Sequence, residues 1–317
     1  IAESDTSTAW LLNQNNVWST ASTRMLESTA QEIWKDQRAV VTNGPPSSNC
    51  KAVPVEGGHV LSGNWTLSSG CTHATWIAAL CPIATPDGAS LVSSERKDMK
   101  IFLMPKAEVQ FVDTWDAQGM RGTSSFGYEL KDQYVPTHHT YHQDQAEPWY
   151  KGPHYVIPRT LLFATGFSTI ALATAKASID IAINFANTGQ TGRSSTPLRE
   201  RDTIQRSIGE IRATYSSSRA FLRQSMAKVW ESANKNGSAS VEERINLRLA
   251  ATHGIRSAAG VVDACYNMCG SSAISASNPI QRRFQDIHVI TQHIQGHPIN
   301  YETAGQFFLG LEPQGNF

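Results

Sequence analysis

The side chain best suited to chemistry is His293, in the stretch Pro279 to Ile294, PIQRRFQDIHVITQHI. An imidazole titrates near neutrality, so it can take a proton from a substrate hydroxyl as general base, or return one, at physiological pH. Read as a helix, the stretch places Asp286, Ile290 and His293 along one edge, with carboxylate and imidazole two turns apart, and lets Arg282 pair with Asp286 across one turn. Phe284, Ile287 and Ile294 form the adjoining apolar face. The competing reading of the same pattern is a core helix carrying a hydrogen-bonded histidine. His293 and His297, four apart, also have the spacing to hold zinc from one helix face. A second group, His138, His139 and His142 with Asp144, has ligand types for a metal. It sits in a Pro- and Tyr-rich stretch without the convergent geometry and outer partners a metal site needs, so it reads as a loop and no metal is expected.

The elements that must hold these groups read as follows. Asn278 caps the His293 helix, and Pro279 occupies an early position where a missing N–H costs little. Residues 1–38 read as helical, with Ser7 or Thr8 capping a first helix. Ser28 or Thr29 caps a second, with Glu32 in its first turn. Residues 39–136 change to short alternating runs such as HVLSGNWTLSSG, TWIAALCPI, KIFLMPKAEV and YELKDQYVP, the pattern of an antiparallel sheet or small barrel. Residues 137–157 read as a connecting loop. Residues 158–311 hold four helices: Leu161 to about Ala186, from Thr196-Pro197 to Asn236 before Gly237, from a Ser240 cap to about Cys269, and the Pro279 helix. Long helices with short connections specify an up-and-down four-helix bundle, and 312–317 is a tail. The fold class is α+β, in the order helices, sheet, helical bundle.

The chain of 317 residues, 40% hydrophobic and 17% charged, has room for two domains. Lys+Arg and Asp+Glu each number 27, so no global charge favours nucleic acid or an acidic membrane surface. Five cysteines at irregular spacing read as reduced thiols of a cytoplasmic protein rather than a disulfide framework. No apolar run reads as approaching the roughly 20 residues of a membrane span.

Three segments together resemble a known family. R-x-F-x-D-I with a histidine seven residues after the aspartate, GGHVLSGNWTLSSGCTHATW, and the W-x-x-x-G-x-R-G-T-x-S signature from Trp115 to Ser125 are similar to the acyl-CoA dehydrogenase fold. More narrowly, they resemble its oxygenase branch, the two-component flavin-dependent monooxygenases. Dehydrogenases of that fold often carry a catalytic glutamate eight residues after the aspartate, where this chain has Ile294, a side chain that moves no proton. The resemblance implies about a hundred residues of helical domain around the N-terminus, so the sequence is expected to begin inside that domain.

By the same resemblance, Ser69 and Gly70 lie beside the reactive flavin edge, and a hydroxyl there can donate or accept as the flavin changes oxidation state. Thr42 and Asn43 end the first strand at the cofactor. Arg193 reaches a flavin phosphate of a neighbouring subunit, and Gly270-Ser271 form a turn beside the phosphate end. Ser7 to Trp10 lead into the substrate side, which makes Trp10 and Asn15 substrate contacts. Gly119 and Gly122 serve backbone geometry and Arg121 a structural role. Cys265 and Cys269, one helical turn apart, are apolar filling.

The function implied is the oxygenase component of a two-component monooxygenase. It would accept reduced FMN or FAD from a separate flavin reductase, react through a C4a-hydroperoxide with O2, and hydroxylate a phenolic or heteroaromatic small molecule as a homotetramer. His293, as general base on a phenol or as hydrogen-bond partner of the peroxide, and Ser69 are the expected catalytic residues. No dinucleotide fingerprint follows a strand in this chain. The alternatives are an acyl-CoA dehydrogenase or oxidase of the same fold, and a non-catalytic scaffold with a decayed flavin site.

Overall fold

The computed structural model describes residues 1–85, 99–142, 146–189 and 196–317. It divides into two compact units, one of Ile1–Asn13, Ala117–Met120 and Val156–Phe317, the other of Gln14–Asp116 and Arg121–Tyr155. Residues 1–38 therefore form no unit of their own: the first helix, α1 (Thr6–Ser19), gives its first part to one unit and its remainder to the other.

The helical unit is built on α4 (Arg159–Thr188), α5 (Asp202–Asn236), α6 (Val241–Cys269) and α7 (Pro279–Thr291), with α8 (Ile299–Phe308) and the short α3 (Pro153–Val156) beside them in the chain. α4 and α6 form its centre, and small residues let them approach closely. A Cβ on Gly254 of α6 would lie 2.3 Å from the Ser168 hydroxyl of α4. α4 is also long and apolar enough to cross a bilayer, contrary to the sequence reading. Its buried residues, among them Leu161, Phe167, Ala171, Ala175 and Ile179, face helical neighbours as those of a core helix do.

Helix ends follow local chemistry. Ser240 caps α6, as the sequence predicts, and with Glu243 it closes a reciprocal capping box, while Gly237 ends α5 at φ 73°. Asn278 caps α7 by accepting the Ile280 N–H at 3.1 Å. Other expected caps differ. Asp5, not Ser7 or Thr8, caps α1 by accepting the Thr8 N–H at 2.7 Å, and α2 (Glu27–Trp34) starts at Glu27 without a side-chain cap.

The sheet unit contains two four-stranded sheets, β1-β4-β5-β8 and β2-β3-β7-β6. Their strands are β1 (Val41–Thr42), β2 (Lys51–Val55), β3 (Gly58–Ser68), β4 (Trp76–Pro82), β5 (Met99–Pro105), β6 (Gln110–Val112), β7 (Phe126–Pro136) and β8 (Thr140–His142). All pairings are antiparallel except β1 with β4. Trp65 and Tyr128, stacked at 5.1 Å, lie in a core shared by both sheets with Leu61, Ile77, Phe102 and Met104. The stretch 137–142, expected as loop, forms a 3-10 turn (Thr137–His139) and the edge strand β8. The five cysteines are free and buried.

Two buried charged groups of α7, Asp286 of the sequence motif and its neighbour Arg283, have structural partners. Asp286, 2% exposed, accepts the Met120 N–H at 2.6 Å, and burial raises its carboxyl above the usual range even with Arg282 at 3.9 Å. Arg283 donates to the carbonyls of Ala2, Glu3 and Ser4 and to the Thr6 hydroxyl, pinning the chain start to α7. Met120 adopts φ 52°, and Gly119 passes so close to α7 that a Cβ there would lie 2.3 Å from the Gln285 carbonyl oxygen. Gly119→Ala must therefore push Ala117–Met120 off α7. The expected loss is roughly 2 kcal/mol in urea unfolding, as for overpacked sites generally, whereas an unchanged midpoint would show that the segment yields freely.

Candidate active site

In the helical unit the sequence expectation for His293 needs correction. α7 ends at Thr291, so His293 does not continue the edge of Asp286 and Ile290. It sits in extended backbone at φ −70°, ψ 145° and heads a 3-10 turn, Ile294–Gly296. Ile294, expected on the apolar face, is 53% exposed, and His297 is no longer on a shared helix face with His293. Tertiary contacts impose the break. Arg248, on α6 and 3% exposed, donates to the Gln295 side chain and to Asn300 Oδ1 at 2.8 and 3.1 Å, while Thr252 donates to the Gln295 carbonyl at 3.0 Å. Gly296 closes against Ile255, where a Cβ would stand 2.8 Å from a methyl carbon. Gly296 and Pro298 were the available stop signals in the sequence.

The result is a histidine held by aromatic rings. Trp10 and Phe167 stack at 3.7 Å and 7°, and the His293 ring stands edge-on to both, at 5.3 and 4.8 Å between centroids. Phe163 extends the aromatic row at 5.8 Å from Phe167. Burial, reinforced by the Arg248 charge, pushes the imidazole down to about 4. It is thus neutral at pH 7. His293 Nδ1 accepts the Gln295 N–H at 3.3 Å, which assigns the proton to Nε2. The ring is half-buried, with protein on most sides. The arrangement offers an N–H donor between aromatic walls. Trp10, 7% exposed, is part of that wall.

In the sheet unit the Ser69 hydroxyl bonds Ser125 Oγ at 2.8 Å, and Ser125 Oγ bonds Thr123 Oγ1 at 2.7 Å. These are the last two defined positions of the Trp115 signature, residues to which the sequence reading gave no role. Either oxygen of each pair can donate, so Ser69 can present a proton or a lone pair. The two loops are laced by Gly70 N–H to the Thr123 carbonyl at 2.8 Å, with Gly70 at φ 80°. Leu67 and Ser124 flank the contact at φ 53° and 43°, and the β3–β7 register slips between Trp65 and Ser68. Bulges and strained non-glycine residues of this kind concentrate at functional sites.

Thr42 is wholly buried and donates to the Ser69 carbonyl at 2.6 Å, so its side chain positions Ser69 and touches no ligand. Asn43 Oδ1 accepts from Gln14 Nε2 and Trp18 Nε1, both at 2.9 Å, which turns the amide Nδ2–H2 outward as a donor. Asn15 Oδ1 is sealed without a partner among the described residues. A flavin ring, whose edge alternates between acceptor and donor on redox change, fits the reversible Ser69 hydroxyl and the fixed Asn43 donor.

The expected phosphate contacts are not supported in the same way. Arg193 lies outside the described residues. Gly270 and Ser271 are exposed at the carboxyl end of α6, where helix carbonyls and the negative dipole end disfavour an anion.

Residues 165–298 match the family described as acyl-CoA dehydrogenase, C-terminal domain. Indole-3-acetate monooxygenase of Pseudomonas putida is 27% identical over 296 residues, covering 91% of this chain and 72% of its own. The oxygenase component of an FADH2-dependent resorcinol hydroxylase from a Rhizobium strain is 26% identical, covering 92% and 74%. Among solved structures, XiaF from a Streptomyces species, in complex with FADH2 and glycerol, superposes with a TM-score of 0.91 at 20% identity, covering 99% of this chain and 80% of that one. The fold is acyl-CoA dehydrogenase-like, as the sequence resemblance implies.

The histidine's depressed protonation has a measurable consequence. Below its ordinary value of 6.5 the unfolded chain binds a proton that the folded ring refuses until about pH 4, so stability falls with pH across that window. Between pH 7 and pH 5 the wild type should lose roughly 2 kcal/mol more than His293→Gln. Urea unfolding of both proteins at the two pH values measures the difference, and parallel losses would mean that the ring titrates normally.

Proposed function

We infer that this chain is the oxygenase component of a two-component flavin-dependent monooxygenase that hydroxylates an aromatic small molecule. The observation that carries this reading is the neutral imidazole held edge-on to the Trp10–Phe167 stack, in a chain whose curated relatives include oxygenases of indole-3-acetate and resorcinol. Reduced FMN or FAD, supplied by a separate reductase, provides the electrons for O2 when bound.

The chain's own residues do the rest. Trp10, Phe167 and Phe163 wall the substrate ring and keep water from His293. With Nδ1 engaged by Gln295, His293 donates Nε2–H to an oxygen of the reacting groups, and burial, with the Arg248 charge added, keeps it from taking a second proton. Of the two roles expected from sequence, general base or hydrogen-bond partner of the reacting oxygen, this reading takes the second. Ser69 hydrogen-bonds the flavin edge, Ser125 and Thr123 let it switch between donor and acceptor, and Asn43 Nδ2 donates to a flavin carbonyl. Thr42 holds the Ser69 backbone in place. A homotetramer belongs to the same reading, and the exposed Met226 and Trp230 on α5 suit a subunit contact. The buried, unpaired thiols suit a reducing cytoplasm.

The test is to mix the protein anaerobically with reduced FMN or FAD, admit oxygen with a panel of indoles and phenols, and quantify hydroxylated product per flavin oxidised. Wild type should couple the two for at least one substrate. His293→Ala should lower coupling roughly a hundredfold, the scale of a lost transition-state donor, with flavin affinity retained, while Ser69→Ala should weaken flavin binding. Equal coupling in wild type and His293→Ala would remove His293 from the chemistry. Failure of the wild type to bind either reduced flavin would remove the whole reading.

A further inference from the structure

Apart from these groups, three metal-ligating side chains of the sheet unit converge: Glu32 of α2 and His138 and His139 of the turn before β8. Their ligand atoms all lie within 4.8 Å of one another. His139 Nε2 is 3.0 Å from Glu32 Oε2. The two imidazoles, though adjacent in sequence, turn to the same side with centroids 4.4 Å apart.

The backbone beneath them is fixed from several directions. The Thr29 hydroxyl, one turn before Glu32 on α2, donates to the His138 carbonyl at 2.7 Å. Thr137 N–H and Oγ1 both donate to the Gly57 carbonyl, at 3.0 and 3.1 Å. The Thr140 hydroxyl donates to the Thr137 carbonyl at 2.9 Å. His139 is buried against the edge of Trp76 at 5.3 Å, so one ligand is rigid, while His138 and Glu32 are exposed. The sequence reading grouped His138 and His139 with His142 and Asp144. Glu32, 106 positions before His138, was invisible to it, and Asp144 lies outside the described residues.

We propose that Glu32, His138 and His139 form a binding site for a divalent transition metal ion of the zinc class. Two imidazoles and one carboxylate are a ligand set zinc accepts, leaving a fourth position for water. Zinc–ligand bonds of about 2.1 Å place two ligands of one ion at most about 4.2 Å apart, so a small turn of the exposed His138 or Glu32 closes the set. The bound ion staples α2 to the turn before β8.

The test uses the full, untagged, metal-stripped chain titrated with ZnCl2 by calorimetry, with the thermal midpoint followed in parallel. Wild type should bind a zinc ion at this site and melt at higher temperature with zinc than without. His138→Ala changes only an exposed side chain and should lower zinc stoichiometry by one per chain, or affinity by about tenfold or more, and abolish the thermal shift. Glu32→Gln, which keeps a hydrogen bond to His139 but removes the charge, should weaken binding as well. Absence of zinc uptake, or uptake that either variant leaves unchanged, overturns the proposal.

Discussion

One buried guanidinium sets the geometry and the electrostatics of the helical unit's site together. Arg248 is almost wholly removed from solvent, and a charge so placed must be met by polar groups. Gln295 and Asn300 meet it, and in doing so they draw the chain after α7 back over α6 instead of letting the helix run on. Because the helix stops at Thr291, His293 becomes the head of a turn, with Nδ1 committed to the Gln295 N–H and the ring set against Trp10 and Phe167. The same positive charge opposes protonation of that ring. Position and tautomer are consequences of one network, and its charge adds to the burial that keeps the ring neutral.

The sheet unit reaches its site by a different route, through backbone strain. Leu67 and Ser124 occupy the left-handed region, which costs a non-glycine residue roughly 1 kcal/mol or more. The Gly70–Thr123 bond and the Ser69–Ser125–Thr123 hydroxyl run hold the two loops in that state. A bulge in the β3–β7 ladder aims them. Thr42, spent on the Ser69 carbonyl, and Asn43, fixed by Gln14 and Trp18, complete a loop end whose polar groups have set directions.

What was legible in the sequence was what depends on near neighbours. Ser240, Gly237 and Asn278-Pro279 mark helix ends by local hydrogen bonding and φ, and all three were readable. Alternating runs marked β3, β4, β5 and β7. The end of α7 was not read, because the periodic apolar pattern continues to Ile294 while the force that stops the helix comes from Arg248, some forty residues earlier. Glycine signals were similarly partial: Gly119 was recognised as geometric, but its need for the Gln285 carbonyl beside it is a tertiary fact. The resemblance pointed to Ser69 and His293 as candidates. It could not show that Thr42 turns inward onto Ser69, 27 residues on, or that Ser125 and Thr123 complete the hydroxyl run, since these contacts join segments far apart in the chain.

Arg283 holds the carbonyls of Ala2, Glu3 and Ser4 across up to 281 positions of chain, and Arg282 reaches Asp5 over nearly the same span. During synthesis at about 5–20 residues per second, these opening residues wait on the order of 14 to 56 seconds for their partners to be made. The first turn of α1 thus cannot acquire its native anchors until α7 has left the ribosome. The aromatic ring it contributes, Trp10, can therefore take its place beside His293 only after α7 and the turn beyond it have been made.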